Sequence, residues 1–201
     1  MAMKSWSEFY GFEYNIETFL HNLNVHKEFI SEIVKRSNGK KILEVGCGPG
    51  GIAIFLSCIG FDVTAVDNNT DVLERASALN KKLNGKVRIV KADAFKMPFA
   101  DNEFDLSFSQ GLLEHFQDRQ VCEILKEKTR VSKIALFSVP NSYYRVKDVG
   151  DERLLSVKQW EKIIKDFDIL FSKPYFYIST KRNFLVKKPL MYMAGLKKRI
   201  I

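Results

Sequence analysis

The sequence predicts an α/β domain, a mostly parallel sheet with helices packed on both faces in three layers. Three observations carry this reading. From residue 41 onward, short apolar runs alternate with amphipathic ones. The first run leads straight into a glycine cluster, Gly46-Cys47-Gly48-Pro49-Gly50-Gly51. Acidic residues, Glu44, Asp67 and Asp93, stand at the ends of the first three runs. Alternating strands and helices require crossover connections, and hence a parallel sheet covered on both sides.

Each element has its own signal. In residues 1–36, Ile16, Phe19, Leu20, Leu23, Ile30 and Ile33 recur at helical spacing. Trp6, Phe9, Tyr10, Phe12 and Tyr14 crowd the start. They read either as packing or as a substrate-facing group, with Tyr10 and Tyr14 as the candidates for contact. Strands are expected at Lys41–Val45, Asp62–Val66, Val87–Lys91, Phe104–Phe108 and Ile134–Val139, and helices at Gly51–Ile59, Thr70–Leu83 and Arg119–Val131. In the second of these helices Val72, Leu73, Ala76, Leu79 and Leu83 form one apolar face, and Asn84-Gly85 stops it. Ser156-Val-Lys-Gln159 is a capping box opening a helix whose inner face is Val157, Trp160, Ile163, Ile164 and Phe167. Ile169–Tyr177 and Asn183–Lys187, joined by Ser179-Thr-Lys-Arg182, read as a terminal hairpin.

A chain of 201 residues, 46% hydrophobic, suits one domain with a full core, and no repeat or linker divides it. The apolar stretch 51–61 is too short to span a bilayer, and the N-terminus lacks the apolar centre of a signal peptide. Cys47, Cys58 and Cys122 are odd in number and lack metal-ligand spacing. These features point to a reduced, cytoplasmic protein without a metal centre. The net charge is +8, with basic residues spread along the chain. That distribution suits either a solvated surface or attraction to an anionic substrate, RNA or membrane lipid.

The segment from Lys41 to Gly51 reads as a buried strand, a tight turn and a helix. Glycines let the backbone approach a ligand closely, and the helix N-terminus offers free N–H groups, so a nucleotide-like cofactor fits. Gly46, Gly48 and Gly51 satisfy G-x-G-x-x-G. Glu44, Gly46, Gly48 and Gly50 also satisfy E-x-G-x-G-x-G, and here the segment resembles motif I of the class I S-adenosylmethionine (SAM) dependent methyltransferases. A carboxylate at the strand end suits the ammonium and sulfonium of SAM and repels a dinucleotide's pyrophosphate. The resemblance covers residues 41 to about 190. It implies a Rossmann-like, seven-stranded sheet of order 3-2-1-4-5-7-6 with strand 7 antiparallel. It also implies an N-terminal helical lid over 1–36 and a SAM-binding core over 41–190; Lys197-Lys198-Arg199 make 191–201 a basic tail.

The remaining strand ends supply the other candidates, because ligands of such sheets lie beyond the carboxyl ends of the strands. Asp67, followed by Asn68, lies 21 residues after Gly46, the offset of an acid that holds both ribose hydroxyls. Lys91-Ala-Asp-Ala-Phe-Lys-Met-Pro-Phe99 resembles the family's adenine-site motif. By that resemblance Asp93 accepts from the adenine amine, Ala94 donates to the ring, and Met97 packs beside it. Ser109-Gln110-Gly111 is expected against the methionine end of SAM, with Glu44, Gly46, Cys47, Gly48 and Gly50 across the turn. This loop lacks the Asn-Pro-Pro-Tyr of amino methyltransferases acting on DNA bases or protein glutamine, and its Glu-His pair resembles small-molecule members.

His115 reads as a general base or as a brace for its loop. His21 and His26 read as surface or packing residues. In the long loop after the fifth strand, Tyr143, Tyr144 and Arg145 are candidates for substrate contact, with an ordinary surface loop as the alternative. The sequence therefore points to a SAM-dependent methyltransferase with a small-molecule acceptor and S-adenosylhomocysteine (SAH) as product. An RNA methyltransferase, a non-catalytic SAM-binding regulator and an NAD-linked oxidoreductase are the alternatives.

Overall fold

A computed structural model of the chain describes residues 5–11, 15–176 and 188–199. Three helices come first: α1 (Trp6–Phe9), α2 (Ile16–Val25) and α3 (Lys27–Arg36). Then follow β1 (Lys41–Val45), α4 (Gly51–Cys58), β2 (Asp62–Asp67), α5 (Thr70–Lys82), β3 (Arg88–Lys91) and β4 (Leu106–Gln110). A single 3-10 turn, Leu113–His115, leads to α6 (Asp118–Val131), β5 (Ala135–Pro140), α7 (Val157–Ile164), β6 (Asp168–Tyr175) and β7 (Met191–Lys197). The strands form one sheet of order β3-β2-β1-β4-β5-β7-β6. β3, β2, β1, β4 and β5 run parallel, and β7 is antiparallel to both β5 and β6. The three-layer α/β fold read from the sequence is therefore the fold observed.

Alternation along the strands divides the core. Ile42, Val63, Ala65, Leu106 and Phe108 face one side, where they meet α3 and α4 through Phe29, Ile33, Ile52 and Leu56. On the other side Phe137 and Val139 pack on α6 and α7 through Val121, Ile124, Trp160 and Ile164. Central parallel strands buried on both faces read as continuous apolar runs, which is why they were conspicuous. The capping box predicted at Ser156 is present, with Ser156 N–H donating to Gln159 Oε1 at 2.9 Å. Asn84 takes the left-handed conformation (φ 52°) just past α5, as a helix stop should.

Three expectations need correction, and one falls outside the described residues. The fourth strand begins at Leu106, not Phe104. Phe104 makes only an isolated bridge to Ser132, and the Asp105 carboxylate is engaged by the Lys41 N–H and the Lys133 ammonium. Ile16 and Leu20, expected on the inner helical face, are 53% and 57% exposed; Phe19, expected there with them, is buried, and Val25 is buried beside it in α2. The expected hairpin strand Asn183–Lys187 lies outside the described residues. β6 pairs instead with Met191–Lys197, so the expected basic tail begins as a strand. The run Met191-Tyr-Met-Ala-Gly-Leu196 is apolar throughout, and inserting it between β5 and β6 buries both its faces. Gly195 is needed there, because a Cβ would lie 2.3 Å from the Phe171 ring. No helix among the described residues is long and apolar enough to cross a membrane.

Candidate functional site

The carboxyl ends of β1, β2 and β4 open onto two adjoining cavities, of about 300 and about 320 Å³. The turn after β1 forms the floor between them. Gly46 and Cys47 donate their N–H groups to Val66 O at 2.9 and 3.0 Å, tying the turn to β2. Gly46 (φ 67°) and Gly48 (φ 53°) occupy the left-handed region, which side chains rarely adopt. Both also face close neighbours: an added Cβ would lie 2.7 Å from Leu112 Cδ1 at Gly46 and 2.6 Å from Tyr10 Oη at Gly48. Gly50, also left-handed at φ 75°, caps the start of α4.

Two acids brace this turn. Glu44 is buried and accepts from the Ala53 N–H of α4 at 3.0 Å. Burial pushes its carboxyl up to about 8, and the nearby Asp67 charge adds to that rise. Asp67 accepts from Gly48 N–H at 3.2 Å and from Asn69 N–H at 3.0 Å, one on each oxygen. Burial raises it, while those backbone donors pull the other way. Each carboxylate oxygen has a second lone pair, so Asp67 can accept further hydrogen bonds.

The cavity beside β2 and β3 brings together Gly48, Asp67, Asn68, Asp93 and Ala94, drawn from three strand ends as the sequence predicted. Asp93 accepts from Phe95 N–H at 3.0 Å, which shapes its loop. Met97 does not reach this cavity. It is buried with Phe99 and Phe104 behind the loop, because its N–H is anchored on Glu127 of α6 at 2.7 Å. Phe95 and Phe116 line the wall instead.

The other cavity takes Glu44, Gly46, Cys47 and Gln110 from the sheet edge. His115 lines both cavities, and so do Trp6 and Tyr10. Trp6 meets the imidazole edge-on at 4.8 Å and lies parallel to Tyr10 at 6.0 Å. Burial and the Asp67 charge push the Tyr10 hydroxyl's pKa up, so it stays neutral. His115 Nδ1 and Asp151 Oδ1 are 2.6 Å apart. An ionised carboxylate only accepts, so this contact sets the tautomer with the proton on Nδ1 and the lone pair on Nε2.

The loop after β5 contributes differently from expectation. Tyr144 lines the cavity and donates to Asp148 at 3.0 Å. Tyr143 and Arg145 line neither cavity: both are exposed, and Tyr143 lies under the Lys188 ammonium at 4.6 Å. Asn141 explains this, because its side chain binds the Tyr143 N–H and ties the loop to β7 at Met191 O. Tyr14 lies outside the described residues. His21, expected as a surface or packing residue, lines the cavity, as does His26. His26 is buried with Nδ1 2.9 Å from Tyr175 Oη, and burial lowers it to about 3, so it is held neutral.

Sequence reasoning missed four acids at this end. Glu114, Asp148 and Glu152 line the cavity, and Asp151 holds His115. Glu114 is 3% exposed, and among the described residues its Oε2 has no hydrogen-bond partner. Burial pushes it up to about 8, reinforced by the charges of Glu152, Asp151 and Asp148. His115, Asp151 and Glu152 place one ligand atom each within 4.8 Å of one another, a grouping that cysteine spacing could not reveal. The available signal was the pair Glu114-His115 and the acid-rich run Asp148–Glu152.

Residues 42–134 match the family model of a methyltransferase domain. Over 136 residues, 64% of the chain, it is 35% identical to cycloartenol-C-24-methyltransferase 1 of Oryza sativa subsp. japonica, covering 38% of that protein. Over 96 residues, 46% of the chain, it is 32% identical to sterol 24-C-methyltransferase of Pneumocystis carinii (strain B80), covering 26% of it. The chain thus spans well under half the length of these curated relatives. The structure of magnesium protoporphyrin IX methyltransferase from Synechocystis PCC 6803 with bound SAH has the same fold. Its TM-score is 0.70 at 13% identity, over 96% of this chain and 93% of that one.

Proposed function

We propose that this chain is a SAM-dependent methyltransferase that transfers the sulfonium methyl of SAM to a nucleophilic atom of a small molecule. The observation that carries the reading is the convergence of the glycine turn, Glu44, Asp67 and Asp93 on the two adjoining strand-end cavities. These residues fit the cofactor. The left-handed glycines leave a cradle without side chains, and Asp67 has unfilled lone pairs for a diol. We assign Asp67 and Asn68 to the ribose, and Asp93 and Ala94 to the adenine. Glu44, Gly46, Cys47, Gly48, Gly50 and Gln110 are assigned to the methionine end. When bound, SAM supplies the electrophilic methyl.

The chain's own residues then position an acceptor, exclude water and move a proton. The acceptor's place is the cavity toward α2 and the loop after β5, whose volume of about 300 Å³ suits a small molecule. Tyr10 and Tyr144 line that place. His115, held by Asp151, presents Nε2 as the base for an acceptor that must lose a proton.

Titration calorimetry tests this reading. SAM and SAH should bind and NAD should not. Asp67→Ala should weaken SAH by about 1–3 kcal/mol, the worth of hydrogen bonds to a charged acceptor. Binding of NAD with no heat from SAM would overturn the assignment.

A further inference from the structure

We infer that the acceptor is a protonatable amine, recognised as its ammonium form by Glu114, Asp148 and Glu152. The inference rests on the methyltransferase reading and names its substrate class. Its first support is Glu114 Oε2, an acceptor atom on a side chain 3% exposed and lining the cavity, with no partner among the described residues. A buried polar atom left unmatched is costly, and a ligand's donor is the natural match. Its second support is the sign of the surroundings. Asp148 and Glu152 line the same cavity, and among the described residues no lysine or arginine lines it, although the chain as a whole carries +8. The nearest arginine in sequence, Arg153, turns away to Phe116 O and the Asp118 carboxylate.

The third support is the wall chemistry. Trp6, Phe9, Tyr10 and Tyr144 line this cavity, and aromatic faces beside carboxylates attract organic cations. A carboxylate- or phosphate-bearing acceptor would meet like charge here. A hydrocarbon acceptor would leave Glu114 unmatched. A divalent cation fits less well. A divalent cation needs several oxygen ligands at once, whereas Asp151 already engages His115, and each Glu152 oxygen, accepting from Val149 or Gly150 N–H at 2.6 and 2.9 Å, keeps one lone pair, enough for an ammonium N–H.

The chemistry balances. The bound ammonium gives one proton to His115 Nε2 and becomes an amine with a free lone pair. That pair forms the N–C bond to the sulfonium methyl as the C–S bond breaks, and the C–S electrons remain on sulfur. The product is an N-methylammonium, again a cation suited to the same acids, and His115 returns its proton to solvent.

The test uses SAH-saturated protein and three matched probes: 2-phenylethylamine, 2-phenylethanol and 3-phenylpropanoate. The amine should bind at least about tenfold tighter than the alcohol, and the carboxylate weakest of all. Glu114→Gln, which keeps the shape, should remove most of that preference with SAH affinity unchanged, and Asp148→Asn should reduce it in a more exposed position. Equal binding of amine and alcohol to the parent protein would overturn the inference. So would a Glu114→Gln protein that loses SAH affinity, which would place Glu114 with the donor. Tight magnesium binding, abolished by Glu114→Gln and without amine preference, would overturn it in favour of a metal. Failure to bind SAH at all would instead sink the methyltransferase reading.

Discussion

Two residues have consequences that can be measured singly. Glu114 has its carboxyl raised to about 8 by burial and neighbouring acids. A carboxyl raised in the folded state binds its proton more tightly there than in the unfolded chain. Stability in the free protein is therefore lost as pH rises from the ordinary glutamate value, about 4.3, through about 8. Glu114→Gln escapes this loss. Its advantage in melting temperature over the parent should grow between about pH 4.3 and 8 and then level off. A constant difference across that range would show that Glu114 does not titrate there. His115 is the other. With Asp151 fixing its tautomer, His115→Ala should lower methyl transfer by a factor on the order of 10²–10⁴, with SAM affinity nearly unchanged. If the imidazole only braces the loop, SAM affinity and melting temperature should fall together with turnover.

At the scale of elements, α1 is the piece we propose as a lid. Its Trp6, and Tyr10 just past its end, line both cavities, and two of its polar ties to α5 are exposed. Ser7 Oγ donates to Asp71 of α5 at 2.7 Å, and Arg75 of α5 donates to Tyr10 O at 3.0 Å. Exposed polar ties of this kind contribute about 1 kcal/mol or less each, too little to hold a helix of one turn rigidly. We expect SAH to slow proteolysis within residues 5–36. Arg75→Ala should speed cleavage in the free protein, and SAH should restore protection. Identical cleavage with and without SAH would count against α1 as a lid. Gly48→Ala tests the same contact from below, since the added methyl must displace Tyr10.

At the scale of the whole molecule, a basic exterior surrounds an acidic, aromatic cavity. The net charge of +8 attracts polyanions in general, but charge alone steers encounter without specifying a partner. RNA should therefore bind only at low salt, with affinity falling steeply as salt is added and with no methyl incorporated. Methylated RNA at physiological salt would reverse this reading.

Strand and helix alternation, the glycine turn, and the acids Glu44, Asp67 and Asp93 were legible in the sequence. Each is a local signal, a run of apolar residues or a residue type at a strand end, and local periodicity is set by backbone geometry. The sheet order followed from resemblance to a family sharing that motif. The sequence alone could not place β7, because Met191–Leu196 and Asn183–Lys187 are both apolar enough to be strands. Which one inserts between β5 and β6 depends on burying both faces. Nor could it pair His26 with Tyr175, 149 positions away, or turn Tyr143 outward and Tyr144 inward. Above all, Glu114, Asp148 and Glu152, which join Glu44 around one cavity, come from two loops, after β4 and after β5, that carry no shared periodicity. Their common site exists only because parallel strands end on one edge of the sheet, so that residues distant in the chain meet where the ligand must bind.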